Sequence, residues 1–253
     1  MYDFKGKVAI VTGGTDGIGR GCTETFAQCG ATVVVAQRDS KNRAHVVIDE
    51  MKAKGLDVDF IKADISVYDD IRRIVDYTLE KYGKIDFLIN NAGVAEGKTE
   101  IWVTRAPKEK WDEIIATDLT GTVLLSQLVC NQMMKQGYGH VVSIASAAGV
   151  QGGNTCGPAY AVAKAGVMTM TRYIRRDYAQ YGITANALCP GIINTDILKG
   201  CPPEVLDALA AGNPSGRVGD PAEVGKTCAF LCSDGAGYIN GQSLLICGGA
   251  FDR

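Results

Sequence analysis

The sequence predicts an α/β fold: one doubly wound parallel sheet with helices on both faces. Two observations carry this. Seven short apolar runs recur along the chain, and between them lie stretches of helical length and pattern. Strands that alternate with helices pair in parallel through crossovers, which cover both faces of the sheet.

In order, the predicted strands are Lys7–Thr12, Thr32–Ala36, Val58–Lys62, Ile85–Ile89, His140–Ala145, Ile183–Leu188 and Ser243–Cys247. Ile71–Tyr82 is typical of the helical stretches between them. No linker, low-complexity run or repeat divides the chain, so residues 1–253 read as one domain. The unusual segment is 192–221, rich in Gly and Pro and holding Pro202-Pro203. A connection of that length in a compact domain is commonly a lid or binding loop, and it reads as the substrate loop.

Composition narrows the function. A hydrophobic content of 46% fills a substantial core, and a net charge of -2 offers no attraction to a phosphate backbone, so nucleic acid is not an expected partner. The start lacks a signal-peptide pattern, and no uninterrupted apolar run approaches a membrane span, so the expectation is a cytoplasmic protein. Nine cysteines without a C-x-x-C pair suggest small buried thiols in a reducing compartment. Cys228 and Cys232 lie one turn apart, but no nearby histidine or carboxylate pattern completes a metal site, and none is expected. The only histidines are His45 and His140, which argues against His-rich metal sites and a Ser-His-Asp hydrolase.

Polar and glycine-rich segments follow successive strands: Gly13–Gly19, Gln37–Arg38, Asp64, Asn90–Gly93, Ser146 and Pro190–Gly191. In an open parallel sheet these lie together at the carboxyl edge, where such folds bind ligands. His140 begins its strand and belongs at the opposite edge, in a structural role.

Thr12–Gly19 joins the first strand to a helix in the pattern G-x-x-x-G-x-G. Its glycines allow a tight turn and close approach of a pyrophosphate, for which the helix N-terminus supplies donors. Tyr160 and Lys164 are four apart in an apolar helical stretch and share a face. A free phenol has a pKa of about 10, and a nearby ammonium stabilises the phenolate. Ser146 ends the strand before this helix, where its hydroxyl can bond a substrate oxygen; Ser143, inside the strand, is the weaker candidate.

T-G-x-x-x-G-I-G, the N-N-A-G of Asn90–Gly93, a serine before Y-x-x-x-K, and P-G-x-x-x-T at Pro190–Thr195 together resemble the short-chain dehydrogenase/reductase family, from about Lys7 to Gly249. The resemblance implies a single Rossmann-type domain that assembles as a dimer or tetramer and binds NAD(P). It implies that Tyr160 exchanges the proton, that Ser146 polarises the carbonyl, and that Lys164 holds the nicotinamide ribose while lowering the Tyr160 pKa. Gly13, Thr15, Asp16, Gly17, Ile18 and Gly19 would form the cofactor turn. Asp64 and Ile65 would meet the adenine, and Asn91, Ala92 and Gly93 would line the cleft. Pro190 and Gly191 would lead to Ile193 and Thr195, which would anchor the nicotinamide amide.

One residue departs from the family. Where it commonly carries an asparagine that helps hold a relay water, this chain has Asp118. The aspartate is nearly isosteric, and its charge would reach Lys164 through water.

The resemblance implies an enzyme for secondary alcohols or ketones, and the apolar stretches Ile101-Trp102-Val103, Ile197-Leu198 and Ala208-Leu209-Ala210 favour a bulky, cyclic or steroid-like substrate. Asn194–Val224, with Asp196 and Pro202-Pro203-Glu204, is similar to bile-acid hydroxysteroid dehydrogenases. The alternative is a 3-oxoacyl-carrier-protein reductase. Arg172, Arg175 and Arg176 could dock an acidic carrier, although they also read as a solvated or subunit-facing surface. A non-catalytic dinucleotide sensor is a third reading, and the intact Ser146, Tyr160 and Lys164 count against it. NADP(H) is favoured over NAD(H). Gln37 replaces the carboxylate that NAD-preferring relatives carry, and the Arg38 guanidinium suits a phosphate, although Asp16 and Asp39 pull the other way.

Overall fold

Pleating sends successive side chains of the first strand, β1 (Val8–Thr12), to opposite faces, and both faces are dry. Ala9 and Val11 enter a layer with Phe26, Val224 and Cys228, whereas Ile10 packs with Ile71, Ile74 and Leu125 on the other side. The computed structural model describes residues 2–39, 43–94, 103, 106–153, 156–195, 198 and 201–250.

Six further strands follow: β2 (Thr32–Gln37), β3 (Val58–Lys62), β4 (Phe87–Asn90), β5 (Gly139–Ile144), β6 (Ile183–Pro190) and β7 (Ser243–Ile246). All pair in parallel, in the order β3-β2-β1-β4-β5-β6-β7. Every predicted strand is present; β3 keeps its predicted ends and the other six are shifted by one or two residues at one or both ends. β4 starts at Phe87 rather than Ile85 because the Gln136 side chain takes both backbone groups of Ile85, at 3.1 and 2.9 Å. β6 runs on to Pro190, whose carbonyl accepts from Ala147.

Helices α1 (Gly17–Gln28), α2 (Ala44–Ala53) and α9 (Pro221–Leu231) contribute to one core layer. Helices α3 (Tyr68–Tyr82), α5 (Thr122–Gln136) and α7 (Pro158–Tyr178) contribute to the other. Helix α4 (Lys108–Ile114) runs into α5 through a π-helical turn, Ile115–Gly121. By length and composition the continuous helix Lys108–Gln136 could cross a bilayer, but half of its most apolar window is buried inside the fold. That burial is what a core helix requires.

Helix α6 (Ala148–Gln151) is a single turn. The predicted substrate loop leaves and rejoins the body at one neck, where Ile193 bridges Gly219. Within it, helix α8 (Pro203–Ala211) has no buried residue, and Leu206, Leu209 and Ala210 are half-buried. The loop's return is fixed by a bidentate Arg217–Glu223 pair, both contacts at 2.7 Å, and by the Asp220 capping box of α9. Asp196 and Ile197 of the predicted substrate loop, and Ile101 and Trp102 of the apolar stretch expected to favour a bulky substrate, lie outside the described residues.

His140, the second residue of β5, stands opposite Phe87, buried, with Nδ1 2.7 Å from the Thr184 hydroxyl. Cys228 sits 3.7 Å, sulfur to sulfur, from Cys22 across the α1–α9 packing.

Candidate active site

The β1–α1 turn is stapled by the loop after β4, the neighbouring strand at which the strand order reverses. The Asn91 amide donates to the carbonyls of Thr12 and Gly13, at 2.9 and 3.1 Å. In return the Thr12 hydroxyl accepts from the backbone N–H of Asn91 and of Ala92, at 2.9 and 3.0 Å. A Cβ on Gly19 would lie 2.0 Å from the Gly13 carbonyl oxygen, so a side chain there would force the turn open.

No side chain caps the first turn of α1. The Asp16 carboxylate instead meets the Thr15 hydroxyl at 3.0 Å and the Gln37 amide at 3.4 Å. Backbone donors at the positive end of a 12-residue helix, beside a turn whose Gly13, Gly14 and Gly19 positions have no room for a side chain, fit a pyrophosphate. The residues present therefore suit a dinucleotide.

At the end of β2, Gln37 is engaged by Thr15, whose N–H and hydroxyl donate to its side-chain oxygen at 3.2 and 2.7 Å. Arg38 is exposed and stands 3.8 Å from Asp64 across a cleft of about 350 Å³ that Lys62 and Arg73 also line. Asp39 turns inward with φ 49°, and its carboxylate accepts the N–H groups of Arg43 and Ala44 at the start of α2. Asp39 is thereby engaged at the start of α2. Asp64 accepts from Ser66, and Ile65 is buried beside it.

Two residues past β5, the Ser146 oxygen accepts the Ala148 N–H at 3.1 Å, which leaves its own hydrogen to donate. Ser143 is fully buried and accepts from the Asn90 amide at 3.1 Å, so it belongs to the core. Tyr160 and Lys164 lie one turn apart on α7, with the ammonium 5.4 Å from the Tyr160 ring centre. Lys164 also donates to the Ile144 carbonyl at 3.2 Å, which ties α7 to the strand end that carries Ser146.

Asp118 lies in the π-helical turn, 0% exposed. Its carboxylate meets Lys164 directly at 3.2 Å, and this corrects the expectation of contact through water. Burial works against the charge on Lys164, yet Asp118, and then Tyr160, hold its pKa above the usual lysine value.

Gly191 follows β6, its N–H bonded to the Ile246 carbonyl at 3.1 Å, and Ile193 is buried at the neck. Thr195 joins Gly17 and Asn194 around a cleft of about 270 Å³. The predicted site residues thus gather at the carboxyl edge, with His140 at the far one. Two bonding roles were not evident from the sequence: that of Thr12, and that of the Val94 amide, which donates to Asp118 at 2.7 Å. The threonine stood inside the quoted motif as a signal; a backbone amide leaves none.

A doubly wound parallel sheet with a glycine turn at its strand reversal and a Ser, Tyr and Lys set beside it defines a Rossmann-type nicotinamide-dependent oxidoreductase. The sequence profile of the family described as enoyl-(acyl carrier protein) reductase matches residues 13–250. The chain belongs to the short-chain dehydrogenase/reductase family, and it is an NAD(P)-dependent oxidoreductase. It is similar to the 3-oxoacyl-[acyl-carrier-protein] reductase of Staphylococcus epidermidis, 34% identical over 97% of this chain and 99% of the relative. The Escherichia coli protein of the same name is 35% identical over 98% and 99%. The crystal structure of gox2181 superposes with a TM-score of 0.92 at 31% identity, covering 98% of this chain and 96% of that one.

Proposed function

We propose that the protein reduces the ketone of 3-oxoacyl thioesters with NADPH. The observation that carries this is its nearly full-length similarity to 3-oxoacyl-[acyl-carrier-protein] reductases, which replaces the steroid-like expectation as the first reading. The dinucleotide, when bound, supplies the hydride. Ser146 donates a hydrogen bond to the substrate carbonyl, and Tyr160 gives its phenolic proton to that oxygen. Lys164 holds the ribose hydroxyls. Backbone donors of Gly13–Gly19 take the pyrophosphate, Asn91, Ala92 and Gly93 wall the cleft, and Ile193 and Thr195 hold the carboxamide.

NADPH is the proposed cofactor because the exposed Arg38 guanidinium, just past β2, suits a phosphate, while Asp39 is occupied at α2. A second reading, reduction of a bulky cyclic or steroid-like ketone, is favoured by one observation: α8 has no buried residue, and Leu206, Leu209 and Ala210 are only half-buried, available to cover an apolar ligand. We propose a dimer or tetramer as the working form; exposed Val162 and Tyr173 on α7 suit a subunit contact.

The deciding experiment follows loss of reduced-cofactor absorbance with 3-oxoacyl thioesters on a carrier protein and on coenzyme A, and with steroid ketones. The thioesters should turn over best. Preference for the carrier-bound form would favour docking by exposed Arg172, Arg175 and Arg176, whereas preference for a steroid ketone selects the second reading. A tenfold preference for NADH would sink the cofactor assignment. Tyr160→Phe should lose about 10²–10⁴ in rate while still binding cofactor. Near-normal turnover in a folded Tyr160→Phe variant would overturn the mechanism.

A further inference from the structure

Asp118 is placed with unusual constraint for a carboxylate. One oxygen accepts the Val94 N–H at 2.7 Å. The other has no hydrogen-bond partner among the described residues, and its neighbour is the Lys164 ammonium, 3.2 Å away. The side chains of the pair are 5% and 0% exposed, so solvent does little to screen them.

We propose that Asp118 is a positioning residue that keeps the Tyr160–Lys164 pair doubly protonated and so sets the alkaline limit of ketone reduction. The inference rests on the proposed roles of Tyr160 and Lys164. Reduction needs a proton on the phenol, which gives it up, and a proton on the ammonium, which holds the ribose. A fixed negative charge beside the pair makes removal of the first proton harder, whichever of the two groups releases it. The titratable groups that act on Lys164 are Asp118 from the central helix and Tyr160 from its own. Among the described residues, the strand side presents the Ile144 carbonyl, which does not titrate. The loop after β4 presents Gly93 and the Val94 amide, neither of which titrates.

Asp118→Asn keeps the shape and removes the charge. Two pH profiles read the outcome: kcat/KM for ketone reduction, and the affinity for reduced cofactor measured by its fluorescence without substrate. In the variant both alkaline midpoints should move down by about one pH unit or more. Midpoints that stay or move up overturn the proposal, as does loss of turnover in a folded, cofactor-binding variant. Asp118→Ser, smaller and also neutral, takes its place where the Asn variant does not fold. Failure of both to fold would make Asp118 a structural residue and equally overturn the proposal. A fully active Tyr160→Phe would instead remove the underlying mechanism, so the two failures are distinguishable.

Discussion

Gly93 has no room for a methyl group, and the atoms in the way are the ion pair itself. A Cβ there would lie 2.6 Å from Asp118 Oδ2 and 3.2 Å from Lys164 Nζ. Overpacking of this kind costs about 1–3 kcal/mol, and here the strain falls on the side chains that orient the site. Gly93→Ala should lower stability by about that amount and reduce turnover more than tenfold; a variant with normal melting and normal kinetics would show that the pair yields easily. The N-N-A-G motif made this glycine legible as a cleft residue, but not its reason, because the partner lies 25 positions away on another element. Asp39 and Ser143 show the same limit. Both were legible as polar residues near the site, and only packing reveals that one caps a helix and the other bonds Asn90.

Among elements, the strands were legible because buried parallel strands read as unbroken apolar runs. Most of their ends were not, β3 excepted, since a side chain such as Gln136 can take a backbone position's bonds. The π-helical turn Ile115–Gly121 left no trace either, because apolar periodicity does not register one extra residue in a turn. The edge strand β3 supplies a test of how an element is anchored. Asp59 on it receives Lys81 at 2.6 Å, Tyr82 at 2.9 Å and the Tyr77 hydroxyl, all from α3. Burial alone would raise the Asp59 pKa, but these bonds, Lys81 first, hold it down at about 2. Asp59→Asn should cost on the order of 1–3 kcal/mol at neutral pH, read by denaturant unfolding. The cost should shrink as pH falls from about 4 to 2, because the wild-type carboxylate then takes up its proton. A constant difference down to pH 2 would mean that the charge is not what anchors the helix.

Across the whole molecule, parallel strands put the site at one edge and leave the other to packing, which is why His140 was legible as structural from its place at a strand start. That edge carries a pH liability of its own. Burial, and then Lys7, hold the His140 pKa at about 4, against a value of about 6.5 when the chain is unfolded. Between those values the unfolded chain binds a proton that the folded chain refuses, so stability falls as pH falls. The stability is intact above about 6.5 and is lost progressively toward pH 4, a change on the order of 3 kcal/mol. Carboxylates such as Asp59 extend the loss below pH 4, so the acid decline should come in two stretches with different owners. Melting temperature followed by circular dichroism should fall between pH 6.5 and 4 in the wild type. In His140→Asn, where an amide can still bond Thr184, the curve should flatten over that stretch and keep its decline below pH 4, even if its plateau is lower. An unchanged slope between pH 6.5 and 4 in the variant would clear His140 of the liability.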